Sequence, residues 1–251
     1  MLCIRLNLNG FLTVIGTISV MAILLCKPAQ ATDPGPTVED LLQQFDVIIF
    51  GEEAGHDERS DKIIRWEQSL RIRVVGEATA LNNKILRRHA NTLQGLTNRS
   101  IRFVTGTDEP ENVRVVFVAA MEMANLPGVP VDQKMLNLLA APRGCYFLSF
   151  PDQHGDIGRS IIVVNAERDT ESTYHCLLEE LIQSMGIPND SDLIRPSVFS
   201  DKDKLTKITR SDEVLIRTLY DPRMRTGMDK TEALDTARIV ITDWVARIPP
   251  R

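Results

Sequence analysis

One predicted helix carries polar side chains whose types and spacing are suited to chemistry. Residues 173–190 repeat apolar side chains at three- and four-residue steps, which predicts an amphipathic helix. Its opposite face carries His175, Glu179 and Gln183, each four residues from the next, so an imidazole, a carboxylate and an amide point the same way. Glu180 follows about 100° further round, which turns the two carboxylates apart. This face is either a site or a solvated surface, and the sequence alone leaves both open.

The first 31 residues have the features of a secretory signal peptide. Arg5 precedes an uncharged apolar run over residues 11–25, and the small-residue pattern that ends at Ala31 predicts cleavage after that residue. The run is shorter than the roughly 20 residues that a membrane span needs. We therefore expect a periplasmic or secreted protein with no membrane span in the mature chain. A lipoprotein anchor at Cys26 is disfavoured because Leu25 stands where a small residue is expected, and an uncleaved membrane anchor is the alternative.

Two cysteines, Cys145 and Cys176, remain after that cleavage. An even pair in an oxidising compartment predicts a disulfide, and two buried free thiols are the alternative. The bond would tie a predicted strand to the start of the helix at residues 173–190. Cys176 beside His175 does not predict a nucleophilic enzyme, because adjacent residues of a helix point apart.

The composition is that of an ordinary globular protein. The chain has 251 residues, of which 43% are hydrophobic and 25% charged, so it is long enough for one good core. The formal net charge is −5, and no basic run interrupts the sequence. Nucleic acid is therefore not an expected partner.

The elements that must position the helix follow a mixed order. Strands are predicted at 70–75, 101–104, 113–120, 145–150 and 161–165, and further helices at 37–45, 78–94, 131–140, 209–220 and 231–246. The apolar run Val47–Phe50 is either a strand or a helix end. Residues 32–69 are expected to form an N-terminal helix and linker, and residues 70–251 a single domain. This order predicts an α+β fold with a curved sheet and a helix packed under it.

The run E-E-L-I-Q-S-M-G-I-P-N resembles the metzincin zinc signature HExxHxxGxxH in its spacing. Glu179 stands at the first histidine position, Glu180 at the catalytic glutamate and Gln183 at the second histidine. Gly186 stands at the helix-ending glycine and Asn189 at the third histidine. The resemblance therefore keeps the candidate general base, Glu180, and replaces all three imidazoles.

The resemblance continues after the helix. Phe199 lies where metzincins place the methionine of the turn beneath the metal, and residues 208–220 are similar to the helix that follows this turn. The resemblance implies a zincin-like architecture over residues 70–251: a mixed curved sheet, a long backing helix, a central active-site-like helix and a helical C-terminal part. It also implies a cleft whose edge strand can pair with an extended peptide.

The chain also resembles an uncharacterised family of exported bacterial proteins, the domain of unknown function 2927. Its members carry the run H-C-L-L-E-E-L-x-Q-x-x-G-x-x-N-D-S, which is similar to this chain from His175 onward. They also carry L-Y-D-P-R-x-x-x-G-M, which matches residues 219–228. This likeness implies a zincin-like architecture and no established activity.

The missing imidazoles favour a pseudo-peptidase. The chain has four histidines, no two of them four residues apart, so the helical zinc pair is absent. In this interpretation the cleft persists, and Glu179, Gln183 and Asn189 form a hydrogen-bonded network in place of a metal ion. The protein would bind or scaffold an extended peptide or protein segment, and no cofactor is expected.

Two alternatives remain. In the first, a divalent metal ion is bound by His175 and Glu179, and an oxygen-rich shell is completed by Gln183, Asn189 or Asp190. Such a shell suits calcium, magnesium or manganese better than zinc, and Glu180 would serve as general base of a hydrolase. His154, in a loop before the helix, could reach the same cleft, although a loop histidine is usually solvated. In the second alternative, the polar face of the helix is simply exposed to solvent, and the protein is a non-catalytic, structural exported domain.

Overall fold

The computed structural model describes residues 35–51, 61–106 and 108–249. The described residues form one compact unit. The predicted signal peptide, with its cleavage after Ala31, lies outside the described residues. Within them, the structure contains no helix with the length and apolar character needed to cross a membrane.

The described part of the chain builds a five-stranded mixed sheet. The strands are β1 (Leu70–Gly76), β2 (Ile101–Phe103), β3 (Val113–Val118), β4 (Cys145–Pro151) and β5 (Ile157–Asn165). Their order is β2-β1-β3-β5-β4, with β4 antiparallel to β5 and the other neighbours parallel. β3 lies in the middle, and β4 forms one edge. The predicted α+β class is confirmed.

Helices cover the sheet on both faces. They are α1 (Val38–Phe50), α2 (Ala80–Thr97), α3 (Gln133–Ala140), α4 (Thr170–Gln183), α5 (Arg210–Leu219) and α6 (Lys230–Arg247). The main core joins one face of the sheet to residues of α1, α2, α4, α5 and α6. A smaller apolar cluster on the other face packs α3 against β4 and β5. Along β4, Tyr146 and Leu148 belong to this smaller cluster, whereas Cys145 and Phe147 pack against the main core.

The central helix α4 is anchored at both ends. Asp169 caps its start by accepting a hydrogen bond from the Ser172 amide at 2.9 Å. After its last turn, the Trp66 indole donates to the Ser184 carbonyl at 2.9 Å, and the Tyr220 hydroxyl donates to the Met185 carbonyl at 2.7 Å. These side chains satisfy carbonyl groups that a helix end leaves without a helical partner.

A glycine lets the chain turn directly after α4. Gly186 has φ +101°, and a Cβ there would collide with the backbone carbonyl oxygen of Ile64. Because only glycine tolerates both the conformation and the close approach, it closes the helical segment as the sequence predicted.

The structure decides the open interpretation of Val47–Phe50 in favour of a helix end, and other boundaries differ from the prediction: β5 begins at Ile157 and α4 ends at Gln183. Val47–Phe50 forms the last turn of α1, because the capping box of Thr37 and Asp40 starts a helix that continues to bury Ile48 and Phe50. A short apolar run has no periodicity that distinguishes a strand from a buried helical turn. α2 passes through Gly95 and ends at Thr97, where Asn98 adopts the left-handed conformation with φ 54°.

A disulfide joins Cys145 of β4 to Cys176 of α4, as predicted, with 6.0 Å between the Cα atoms. The two cysteines are 31 residues apart in sequence. The bond therefore fixes the edge strand of the sheet to the first half of the central helix.

His89 of α2 is buried against α4. Its ring lies edge-to-face on Tyr174, with 4.8 Å between ring centroids. Burial disfavours the charged imidazole and lowers the pKa of His89 from 6.5 to about 4. Since the unfolded chain binds a proton between these two values and the folded chain does not, stability falls as the pH falls through this window.

We expect His89 to make folding acid-sensitive. Between pH 7.5 and pH 4, it should reduce the free energy of unfolding by about 3 kcal/mol, since each pKa unit is worth about 1.4 kcal/mol. His89→Gln should lose correspondingly less stability over this range, measured by urea unfolding at both pH values. His154→Gln, at an exposed loop position, is the matched control and should keep the full loss. An unchanged pH dependence in His89→Gln would contradict this assignment.

The disulfide should stabilise the fold by restricting the unfolded chain. Replacing both cysteines, as Cys145→Ala with Cys176→Ala, should lower the free energy of unfolding by about 3–4 kcal/mol for a loop of this length. Urea unfolding measures the loss. Intact-mass analysis of a chain that begins at residue 32, and so keeps only these two cysteines, should show two added alkyl groups only after reduction. Alkylation without reductant would mean that these cysteines are free thiols.

Candidate functional site

The polar face of α4 lines a concavity of about 460 Å³. One wall is the edge strand β4, through Cys145 to Phe147, and the α3–β4 connection adds the apolar side chains of Leu138, Leu139 and Pro142. The opposite wall comes from the segment after α4, through Asp190, Asp201 and Lys204. The concavity therefore lies between the sheet edge and the loop that follows the central helix.

The face that the sequence identified is largely buried within this concavity. His175 is 8% exposed, Glu180 5% and Gln183 4%. The opposite, apolar side of α4 places Leu177 and Leu181 in the main core. Because both sides of α4 are buried, its polar side is not an ordinary solvent-exposed helix surface.

His175 is held in one tautomer. Its Nδ1 lies 2.9 Å from the Leu205 carbonyl oxygen, which can only accept, so Nδ1 carries the hydrogen. Its Nε2 lies 3.3 Å from Oε2 of Glu179. Burial lowers the pKa of His175, which favours the neutral ring. The Nε2–Oε2 contact is an ion pair when the ring is protonated.

Several acidic groups converge around Glu179. Its carboxylate oxygen lies within 4.8 Å of ligand atoms of Glu180 and Cys145, and a second group within the same limit contains Glu179, Asp190 and Asp201. The prediction that Glu179 and Glu180 turn apart therefore differs from the structure. Neighbouring residues leave a helix about 100° apart, but both side chains line the same wide concavity. The sulfur of Cys145 is held in the disulfide, so the carboxylates are the donors available to a cation.

The predicted network of Glu179, Gln183 and Asn189 is only partly assembled. Gln183 donates from Nε2 to Oδ1 of Asp190 at 2.8 Å. Asn189 instead uses its backbone amide and its Nδ2 to donate to the Ile48 carbonyl, at 3.2 and 3.3 Å. Asn189 therefore ties the segment after α4 to α1 and does not line the concavity. The turn at Gly186 redirects the chain, so Asp190 takes the place that the spacing had suggested for Asn189.

Phe199 lies in the main core, 1% exposed, and does not line the concavity. Its loop is held by the buried carboxylate of Asp212, which accepts from Oγ of Ser197 at 2.7 Å and from the Val198 amide at 3.2 Å. Asp212 also accepts from the Thr209 amide at 2.7 Å, as part of the capping box that begins α5. One carboxylate therefore joins the loop to the helix that follows it.

Asp201 was not predicted, and His154 is the solvated loop histidine, the more usual of its two predicted interpretations. Asp201 joins the acidic group from an irregular loop, where no periodic pattern signals its position. His154 lies in the exposed turn between β4 and β5 and is not among the residues lining the concavity. Arg168 and Lys204 also line it and supply positive charge at its rim.

The donor set suits a hard cation better than zinc. His175 supplies the single imidazole nitrogen, and the remaining candidate ligand atoms are oxygens: Glu179, Glu180, Asp190 and Asp201. Carboxylate oxygens are preferred by calcium, magnesium and manganese, whereas catalytic zinc sites commonly use two or three imidazoles. A zinc site of the metzincin kind does not fit these residues.

Comparison with known families matches one family, described as "Protein of unknown function (DUF2927)", over residues 38–238. No curated protein matches the chain. The family match covers α1, the complete sheet, α4 and the first half of α6. Because the matched region is most of the chain, this protein belongs to the DUF2927 family of proteins of unknown function.

Proposed function

We propose that this protein is an exported, zincin-like pseudo-peptidase that binds an extended peptide or protein segment through its degenerate cleft. The observation that carries this proposal is the concavity between the polar face of α4 and the edge strand β4. A buried polar face beside an open strand edge is suited to holding a chain by backbone hydrogen bonds and by side-chain contacts.

The open edge of β4 has backbone groups for such pairing. The Asn165 amide donates to the Gly144 carbonyl at 3.1 Å, and Gly144 precedes the paired residues Cys145 and Val164. In an antiparallel ladder, alternate residues bond to the neighbouring strand. Tyr146 therefore bonds to β5, and the backbone groups of Cys145 and Phe147 point to the open edge, next to the concavity. A bound segment can add a strand at this edge.

The zincin-like part of the proposal is supported by the arrangement of elements. The mixed sheet, the long helix α2 packed against α4, and the helical C-terminal part are the components that the metzincin resemblance implied. The helix α4 ends before Gly186, and a buried loop with Phe199 follows. The carboxylate and amides at the three imidazole positions support a binding role over zinc hydrolysis.

Export is supported by the disulfide and by the leader sequence. A Cys145–Cys176 bond is compatible with an oxidising compartment, where such bonds persist. A purely structural role for α4 has less support, because Glu180 and Gln183 are buried at a concavity and do not face bulk water.

Hydrogen exchange can test the binding proposal. A library of acetylated and amidated decapeptides is screened, and the tightest ligand is used for exchange measurements by mass spectrometry. We expect the amides of β4 to gain protection on binding, because the ligand would pair with its open edge. The opposite sheet edge, β2, is the internal control and should be unchanged. Protection at β2, or no ligand with a Kd below 1 mM in the library (about −4 kcal/mol of binding), would contradict the proposal.

A second candidate function is metal-dependent hydrolysis with altered ligands. It is favoured by the neighbouring ligand atoms His175 Nε2 and Glu179 Oε2, and by the convergence of Glu179, Asp190 and Asp201. These residues would hold a hard divalent cation, which would supply positive charge for substrate activation. Glu180 is the candidate general base that would take a proton from a nucleophilic water.

Metal binding separates the two candidates. Equilibrium dialysis against calcium, magnesium or manganese, followed by elemental analysis, should give about one equivalent if the second candidate is correct. Glu179→Ala should then abolish binding, while Glu171→Ala, at an exposed position in the first turn of the same helix, should retain it. Glu180→Gln should keep the metal and lose peptide hydrolysis by at least about 100-fold. Less than a tenth of an equivalent of every ion would rule out this candidate.

A further inference from the structure

One face of the sheet gathers arginines from four strands. In β1, the residues on either side of Arg71 point into the main core, so the alternation of a strand turns Arg71 and Arg73 to the opposite face. Alternation in β2, β3 and β5 adds three more arginines to this face: Arg102, Arg114 and Arg159. We call these five side chains the arginine face.

The strand register places these arginines side by side. Arg71 is the partner of Arg102 in β2. Arg73 is the partner of Arg114 in β3. Neighbouring strands lie about 4.8 Å apart, and like charges in neighbouring positions destabilise a sheet. The clustering therefore has an energetic cost that a bound anion would reduce.

Carboxylates of the loop between β2 and β3 neutralise part of this charge. Glu109 pairs with Arg102. Glu111 accepts from Arg73 at 2.8 Å and from Arg114 at 2.9 Å. Two carboxylates are therefore shared among three guanidiniums, so the paired part of the face keeps one positive charge.

The other two arginines contact neutral groups in the described part of the chain. Arg71 donates from Nε to the Pro110 carbonyl at 2.7 Å, and the guanidinium of Arg159 lies 5.7 Å from the centre of the Phe150 ring. Neither contact cancels a positive charge. With Asp108 of the β2–β3 loop included, the face still has five guanidiniums and three carboxylates.

The arginine face is open to solvent. In the described structure, the apolar cluster that α3 covers takes its strand residues from β3, β4 and β5. The side chains of Arg102 and Arg114 are 49% and 41% exposed. Arg114 and Arg159 also line a concavity of about 380 Å³ beside the β2–β3 loop. Anions can therefore reach these guanidiniums from the solvent.

An uncharged loop lies over the apolar end of the same face. Residues 123–131, before α3, contain no charged side chain, and Pro127 is exposed. Leu126 and Val129 line a crevice of about 140 Å³ against apolar side chains of β1, β3 and β5, and Arg114 is among the residues lining it. The loop therefore places apolar groups directly beside basic ones.

We propose that the arginine face docks the protein on an anionic phospholipid membrane. The guanidiniums bind lipid phosphates, and the loop at 123–131 enters the layer between the head groups and the acyl chains. Guanidinium pairs strongly with phosphate, and each basic side chain near an anionic bilayer adds to the attraction. The face lies on the other side of the sheet from α4, so this inference is independent of the function proposed for the cleft.

The adjoining loop favours a membrane over a nucleic acid. Both partners offer phosphates, but an apolar loop beside basic side chains is stabilised by a partner that also has an apolar layer. The whole chain carries a net charge of −5, so an anionic surface repels most of the molecule and attracts this face. Docking therefore has one preferred orientation.

Vesicle co-sedimentation tests the docking. The chain is used from residue 32, because the apolar run at 11–25 would itself bind lipid and the compact unit begins after it. Vesicles contain equal amounts of phosphatidylglycerol and phosphatidylcholine, or phosphatidylcholine alone. We expect the lipid concentration that binds half of the protein to be at least about tenfold lower with phosphatidylglycerol at low salt. This difference should shrink as sodium chloride is added.

Variants locate the binding on the arginine face. Arg71→Gln with Arg159→Gln removes the two charges that contact neutral groups and should weaken binding about 20-fold, at about fivefold per charge. The matched control, Lys84→Gln with Arg88→Gln, removes two exposed charges from α2 on the other face and should bind as the unmodified chain does. Arg71→Lys with Arg159→Lys keeps both charges and should retain binding, which separates lost charge from lost folding.

Glu109→Gln should have the opposite effect. The Glu109 carboxylate competes with lipid phosphate for Arg102, and its removal adds one net positive charge to the face. Binding to the phosphatidylglycerol vesicles should strengthen by about fivefold. A merely structural role of this ion pair would give no such gain.

Pro127→Trp reports on the loop. Its added tryptophan emission, taken as the difference from the unmodified chain, should shift to shorter wavelength with phosphatidylglycerol vesicles. Lipids brominated on an acyl chain should quench it. Unchanged emission on bound vesicles would overturn the insertion of the loop.

Three results would overturn the docking itself. The first is equal binding, or no binding, to the two kinds of vesicle. The second is an equal loss of binding in the α2 control. The third is binding of a DNA duplex through the same arginines without binding of vesicles, which would assign the face to nucleic acid.

Discussion

The attachment of α4 to the edge of the sheet is the constraint on which the site depends. The apolar side of the helix packs into the main core through Leu177 and Leu181. The Cys145–Cys176 bond fixes the first half of the helix to β4. With these contacts made, the helix cannot rotate about its axis without exposing core side chains. His175, Glu179 and Gln183 are therefore held toward the space between β4 and the loop that follows α4.

This placement is energetically unfavourable for the acidic groups unless something compensates it. Moving a carboxylate out of water costs of the order of several kcal/mol, and carboxylates close to one another add repulsion. Part of the compensation is visible: Gln183 donates to Asp190, and the ring of His175 adjoins Glu179. Four carboxylates and two basic side chains line this concavity, and replacing such charged groups by apolar ones of similar volume is often neutral or stabilising. The proposed binding role would give the acidic cluster a reason that stability alone does not.

The sequence predicted those features that depend on local patterns. The apolar repeat of α4 and the glycine that closes this helical segment are determined by neighbouring residues, and the structure contains both. The disulfide followed from the number of cysteines left after the predicted leader. The exchange of Asn189 for Asp190 and the contribution of Asp201 could not be predicted, because both depend on the path of an irregular loop. That path is set by distant contacts such as the hydrogen bonds from Asn189 to Ile48 and from Ser197 to Asp212.

The concavity gives a bound segment more contacts than it gives a metal ion. A six-coordinate divalent ion with oxygens about 2.1–2.4 Å away would bring neighbouring ligand atoms to about 3.0–3.4 Å from one another. The facing atoms of Glu179 and His175 are 3.3 Å apart, but Asp201 extends from an exposed loop outside the regular elements. Metal affinity falls when surrounding contacts do not fix a ligand in place. The apolar wall at Leu138 and Leu139 has no role in binding a bare ion, but it would contact a side chain of a bound segment directly. A bound segment therefore accounts for more of this concavity than a metal ion alone does.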